Sequence, residues 1–368
     1  MLYNLFRNTV IVYFVALFTS LCIFAADIPV SENQSEIPDK ITLSQEQNEL
    51  IDKQSKKVLE YFDFSNIFDF AKNSIFENIQ TTKNWFFCVI SILIISAVFG
   101  ALKDSFGSTS SLYDFMSMLF LSLFIFIPIG NCIDLITEVL KKQCAYMSAF
   151  VPSMCAMYIS GGNTATAASS AVVYSSAISI LSVVGTNLII PCAKISICLT
   201  IMSSISQKTD LSGVSAFLKS FSMWVTGLML TLFTGVLSLQ SFIQNSADNL
   251  AIRSARFSAA RLIPVAGSMI SDSLKTVISG VSFIKSVSGA VGIAFIVYTI
   301  IPPVVTLFCL KLFCLLSSAF AKLCGLSKQG ALFENINASL NILGAVILCC
   351  GCAFIIMFAI FMKTCIHL

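Results

Sequence analysis

The chain has 368 residues, of which 57% are hydrophobic and only 11% charged, and its mean hydropathy is +0.89. An ordinary soluble domain carries about 25% charged residues. The composition therefore excludes a soluble globular enzyme and a disordered chain, and a net charge of +3 spread between apolar runs excludes a nucleic-acid binder. What remains is an all-α polytopic membrane protein.

Residues 1–26 read as a signal peptide, with Arg7 as its positive region, Thr9–Phe24 as its apolar region and Ala25-Ala26 as small residues for cleavage. An uncleaved signal anchor is the alternative, and either form exports residues 27–84. That segment holds six lysines against eleven acids, a net charge of −5, and none of the 14 cysteines. From Ser44 to Phe70, Leu50, Ile51, Leu59, Tyr61, Phe62 and Phe64 alternate with charge, as in an exported amphipathic segment. It can lie on the bilayer or dock an exported partner.

The gaps between charges then bound the spans, because about 20 apolar residues cross a hydrocarbon core about 30 Å thick. Lys83 to Lys103 and Asp114 to Asp134 each leave 19 uncharged residues, two spans within 85–142. Lys142 to Lys194 leaves 51, enough for two spans broken at Gly161-Gly162-Asn163. Lys219 to Asp248 leaves 28, Lys285 to Lys311 leaves 25 around Pro302-Pro303, and Ile342–Met362 is a final run of 21. The pieces 195–207 and 312–321 suit half-helices, or helix ends whose lysines reach the interface. The expected total is seven to nine membrane helices after the signal. Residues 143–247 form a first membrane half, 248–275 a polar hinge and 276–368 a second half. With 27–84 outside, the 103–114 loop is inside. The positive-inside bias places Arg253, Arg256 and Arg261 inside if 195–207 does not fully cross.

Ile189-Ile190-Pro191 followed by Cys198-Leu199 reappears as Ile300-Ile301-Pro302 followed by Cys309-Leu310 at a constant offset of 111. An internal repeat of two helical halves is one reading, and chance in so biased a composition is the other.

The hinge carries the most informative polar residues: Gln240, Asp248, Arg253, Arg256, Arg261, Pro264, Gly267, Asp272 and Lys285. Arg253 and Arg256 share a helical face. They can anchor a helix to lipid phosphates, line a path or couple to a partner. Gly161, Gly162 and Asn163 form a helix break that can pack closely or expose carbonyls to a cavity. No catalytic residue, cofactor or metal is expected. The one histidine, His367, cannot make a zinc site, and no phosphate-binding glycine loop is present, so energy must come from a partner or a gradient. Most cysteines lie in apolar runs, where a buried thiol behaves as a small apolar group.

The chain resembles the stage III sporulation protein AE family of endospore-forming bacteria. Gly235-Val236-x-Ser238-x-Gln240, Arg253-x-Ala255-Arg256-Phe257, Ile263-Pro264-Val265-x-Gly267, Asp272, Thr276-Val277-Ile278 and Lys285 with Gly289 and Gly292 carry the resemblance, and Ser160-Gly161-Gly162 resembles the family's small-residue break. Lys275 departs from the family, which often has an acid there. The resemblance implies a non-enzymatic component of the mother cell–forespore channel, or feeding apparatus, in the outer forespore membrane. It further implies partners from the stage III A operon, including a cytoplasmic ATPase and ring-forming proteins, and a stage II protein Q-like partner in the forespore membrane. The alternatives are an autonomous solute or ion transporter and an assembly scaffold.

Overall fold

A computed structural model describes residues 83–100, 110–160, 164–205, 211–262 and 267–363, with the backbone alone over 241–279. The signal and most of the exported segment lie outside these residues. All described elements are helical. Helix α1 is Lys83–Gly100 and α2 Ser110–Ser160. Helix α3, Thr164–Val183, passes through a π-helical segment at Val184–Ile189 directly into α4, Ile190–Ile205. Helix α5 is Ser212–Leu262, α6 Gly267–Leu323 and α7 Ser327–Lys363. A helix closes every backbone hydrogen bond within itself, which an apolar medium demands.

Six of these helical stretches are long and apolar enough to cross a membrane. Seven to nine were expected because each charge was taken as a boundary. Instead, α2 runs unbroken through Asp134, Lys141 and Lys142, and the domain boundary drawn at 142 falls inside it. The segments 195–207 and 312–321 are not separate half-helices: the π segment joins the first to α3, and the second lies inside α6.

Helix α7 is the core of the bundle, with Leu332, Phe333, Ile336, Leu340 and Leu343 fully buried, whereas α1 lies at the periphery. Glycines set the approach of α6 to α7. A Cβ on Gly292 would overlap the Phe358 ring, one on Gly289 would overlap Met362 and one on Gly351 would overlap Ile300. Small residues let membrane helices close up in this way. Further along the same antiparallel seam, Lys311 donates to Asn341 Oδ1 at 2.6 Å and Lys322 pairs with Glu334.

The seam begins at a tight turn. The Leu326 amide donates to the Ala321 carbonyl at 2.8 Å and the Gly325 amide to the Lys322 carbonyl at 3.0 Å, the two bonds of a Schellman cap. Gly325 sits at φ +76°, where a side chain would be strained.

Halfway along α2, exposed charges interrupt the apolar surface: Lys194 bonds Asp134 at 3.3 Å and Lys142 pairs with Glu138 at 2.7 Å. With 51 residues, α2 extends about 75 Å at about 1.5 Å per residue, well over one hydrocarbon core. The charged band divides its lipid-compatible surface into two levels.

Candidate functional site

A cluster of buried polar groups lies where the end of α2, the start of α3, the first half of α6 and the end of α7 meet. Lys285 is 1% exposed, and its ammonium stands 4.2 Å from the Tyr158 ring centroid and 4.9 Å from that of Phe361. Those rings meet edge to face at 5.6 Å. An ammonium over the negative face of a desolvated ring gains about 2 kcal/mol. Phe150 packs on both Phe358 and Phe361, and Tyr146 stacks on Phe295 at 4.0 Å, closing the wall.

Helix α3 supplies hydroxyls. Thr166 and Ser170 are buried, and the fully buried Tyr174 phenol stands beside the Tyr158 phenol and the Ser170 hydroxyl. The Cys155 thiol reaches the Ala167 carbonyl at 3.5 Å and ties α2 to α3 across residues 161–163. A buried cation, two phenols and two hydroxyls can hold an anionic or strongly polar group, or fix four chain segments relative to one another.

Of the candidate residues, Lys285 is the one that the structure places at the centre of this cluster. Gln240 is buried near the end of the apolar part of α5, its amide nitrogen without a partner among the described residues. Asp248, Arg253, Arg256 and Arg261 all lie on the continuation of α5, Gly267 is the first residue of α6 and Asp272 lies in its second turn. Within 248–275, the described residues are the end of α5 and the start of α6. Pro264, Gly161, Gly162 and Asn163 lie outside the described residues.

Sequence reasoning missed Tyr158, Tyr174 and Phe361, and also Gln143, which is fully buried with neither amide atom partnered among the described residues. Gln143 and the two tyrosines are polar groups inside apolar runs, the signal that could have marked them. A second polar set links α4, α5 and α7: Thr200 and Ser215 hydroxyls lie 2.7 Å apart, and Ser339 is 3.4 Å from Thr200. No group of three or more metal-ligating side chains occurs among the described residues.

The family described as Stage III sporulation protein AE matches residues 46–365. The chain belongs to this family. One curated relative, the Stage III sporulation protein AE of Bacillus subtilis (strain 168), is 26% identical over 165 residues. The match covers 45% of this chain and 41% of that protein, so the chain matches less than half the length of its curated relative. No solved structure matches. Within the family block, Gly289 and Gly292 have a plain steric role, since both bring α6 against α7 one and two turns after Lys285.

Proposed function

We propose that this stage III sporulation AE chain is the non-enzymatic membrane core of a channel complex between mother cell and forespore, set in the outer forespore membrane. The observation that carries this is the family match over residues 46–365, on a chain with six membrane-capable helices. In this reading a cytoplasmic ATPase of the same operon supplies energy. Ring-forming proteins extend the path towards the forespore membrane and its stage II protein Q-like partner. The buried Lys285, held against the Tyr158 and Phe361 rings, supplies a cation that the working core requires.

The alternative is an autonomous transporter with a two-repeat body. One observation favours it: both copies of the Ile-Ile-Pro…Cys-Leu stretch fall on the first helix of a helical hairpin, α4 before α5 and α6 before α7. The local backbones differ, because the π-helical segment ends at Ile189 whereas Ile300 lies in regular α-helix.

Sporulation assays separate the two. Arg253→Ala with Arg256→Ala is expected to lower heat-resistant spore counts at least 100-fold with unchanged membrane levels, and Asp272→Asn is expected to cost less than 10-fold. Normal counts in the double variant would remove the partner-coupling role. Complete loss in Asp272→Asn alone would instead favour an ion or proton path.

A further inference from the structure

Helix α2 changes what it exposes halfway along its length. Before Asp134 its exposed side chains are chiefly large and apolar, among them Phe115, Phe120, Leu123, Phe126 and Ile127. After Lys142 they are chiefly small, Ala145, Ser148, Ala149, Ser153 and Ala156 among them, and Ile159 is the one large apolar side chain exposed there. Helix α3 and its continuation α4 run antiparallel beside this stretch. Cys155 meets the Ala167 carbonyl near one end, and Asp134 bonds Lys194 at 3.3 Å lower down. Helix α3 exposes Thr164, Ala168, Ser175, Ser176 and Ser179 beside Val172, Ile180 and Val183. At the foot of this flank stand the exposed charges Asp134, Glu138, Lys141, Lys142 and Lys194. The Asp134 and Lys142 side chains are 74% and 64% exposed although both are paired.

The other flank of the same half is different. Phe358 of α7 sets the height: Phe150 of α2 packs on it and Gly292 of α6 meets it. Earlier on α7, Cys349 meets the Thr226 carbonyl of α5. Around this height α5 exposes Leu228, Leu232, Val236 and Leu239, and α6 exposes Phe283, Ile284, Val291 and Phe295.

One surrounding medium cannot suit both flanks. Lipid on every side would keep the charges and hydroxyls from water, whereas ionisable side chains at membrane depth face a bundle interior or a water-filled cavity. Water on every side would leave the large side chains of α5 and α6 uncovered, and an apolar patch of that kind meets lipid or protein. The 18 residues from Gln143 to Ser160 rise about 27 Å, close to one hydrocarbon core of about 30 Å. This half therefore has the height and the two unlike flanks of a wall between lipid and water.

We propose that the α2–α3 flank lines an aqueous path for hydrophilic solutes and that a second copy of this chain supplies the facing wall. This deepens the channel reading and rests on it. One flank cannot enclose a path. The same flank of a second copy, related by a two-fold axis, brings a surface of the same character. The charged band suits itself, since its three lysines can face two carboxylates across that axis.

The test uses the full chain in membranes opened on both sides. A water-soluble maleimide is applied to chains carrying Ser153→Cys or Leu232→Cys, and labelling is read site by site by mass spectrometry. The thiolate is the reacting form, which water supports and apolar surroundings suppress. Ser153→Cys should label at least 10-fold faster than Leu232→Cys. A smaller ratio overturns the aqueous wall: fast labelling of both means that water surrounds this half, and slow labelling of both that lipid or packed protein covers the flank.

A benzophenone amino acid at Ala145, beside the charged band, then reads the facing surface. The expected adduct is a second copy of the chain, seen as a doubled mass. Adducts only with lipid or a different protein, or no adduct, overturn the second copy. Both readouts report on this flank whether or not an ATPase or ring-forming proteins co-purify, so they fail separately from membership in the complex.

Discussion

Gly292→Val is expected to remove most folded protein from the membrane. Phe358 is fully buried, and an added Cβ would overlap its ring, with three ring atoms within 2.8 Å. The ring cannot swing clear, because Phe150 packs on it at 5.1 Å. Overpacking a tight site costs about 1–3 kcal/mol and more where the neighbours cannot yield, so an effect of about 3 kcal/mol is expected here. Melting of the purified chain in detergent measures it. Phe358→Ala in the same chain should recover part of the loss, because the two changes share one contact. A Gly292→Val chain that melts like the unsubstituted one would show that α6 and α7 do not meet closely at this seam.

Lys285 gives the second large effect, and two substitutions separate its roles. Lys285→Glu places a carboxylate against the negative faces of the Tyr158 and Phe361 rings, where the ammonium now stands. An uncompensated buried charge costs about 3–5 kcal/mol, so this chain should fail to accumulate. Lys285→Met keeps the length of the side chain and removes the charge. It loses the ring contacts but also the desolvation of a cation, so its melting should stay within about 2 kcal/mol of the original. Its spore count should nevertheless fall at least 100-fold. A methionine chain that sporulates normally would reduce Lys285 to a packing residue.

These two sites show how far the sequence could be read. Composition and the spacing of charges located the apolar stretches, because a bilayer permits only long apolar helices. The same spacing broke α2 at Asp134 and set 195–207 apart at Lys194. Those two charges pair with each other at 3.3 Å on the outside of the bundle, so neither ends a helix. A π-helical segment has no composition of its own, so the continuity of α3 with α4 was not legible. Lys285, Gly289 and Gly292 were singled out through a family resemblance. The reason for them was not, since Tyr158 and Phe361 lie far away in sequence on α2 and α7. Arg253 and Arg256 were legible as a charged helical face.

Membership in a multi-protein sporulation complex underlies the proposed function, and co-purification bears on it without intermediary. The tagged full chain is drawn from sporulating cells in mild detergent, and its companions are identified by mass spectrometry. Stoichiometric recovery of ring-forming sporulation proteins and a cytoplasmic ATPase is the expected result. Recovery of the chain alone, with its bundle still folded by melting, would contradict membership and put the autonomous transporter in its place.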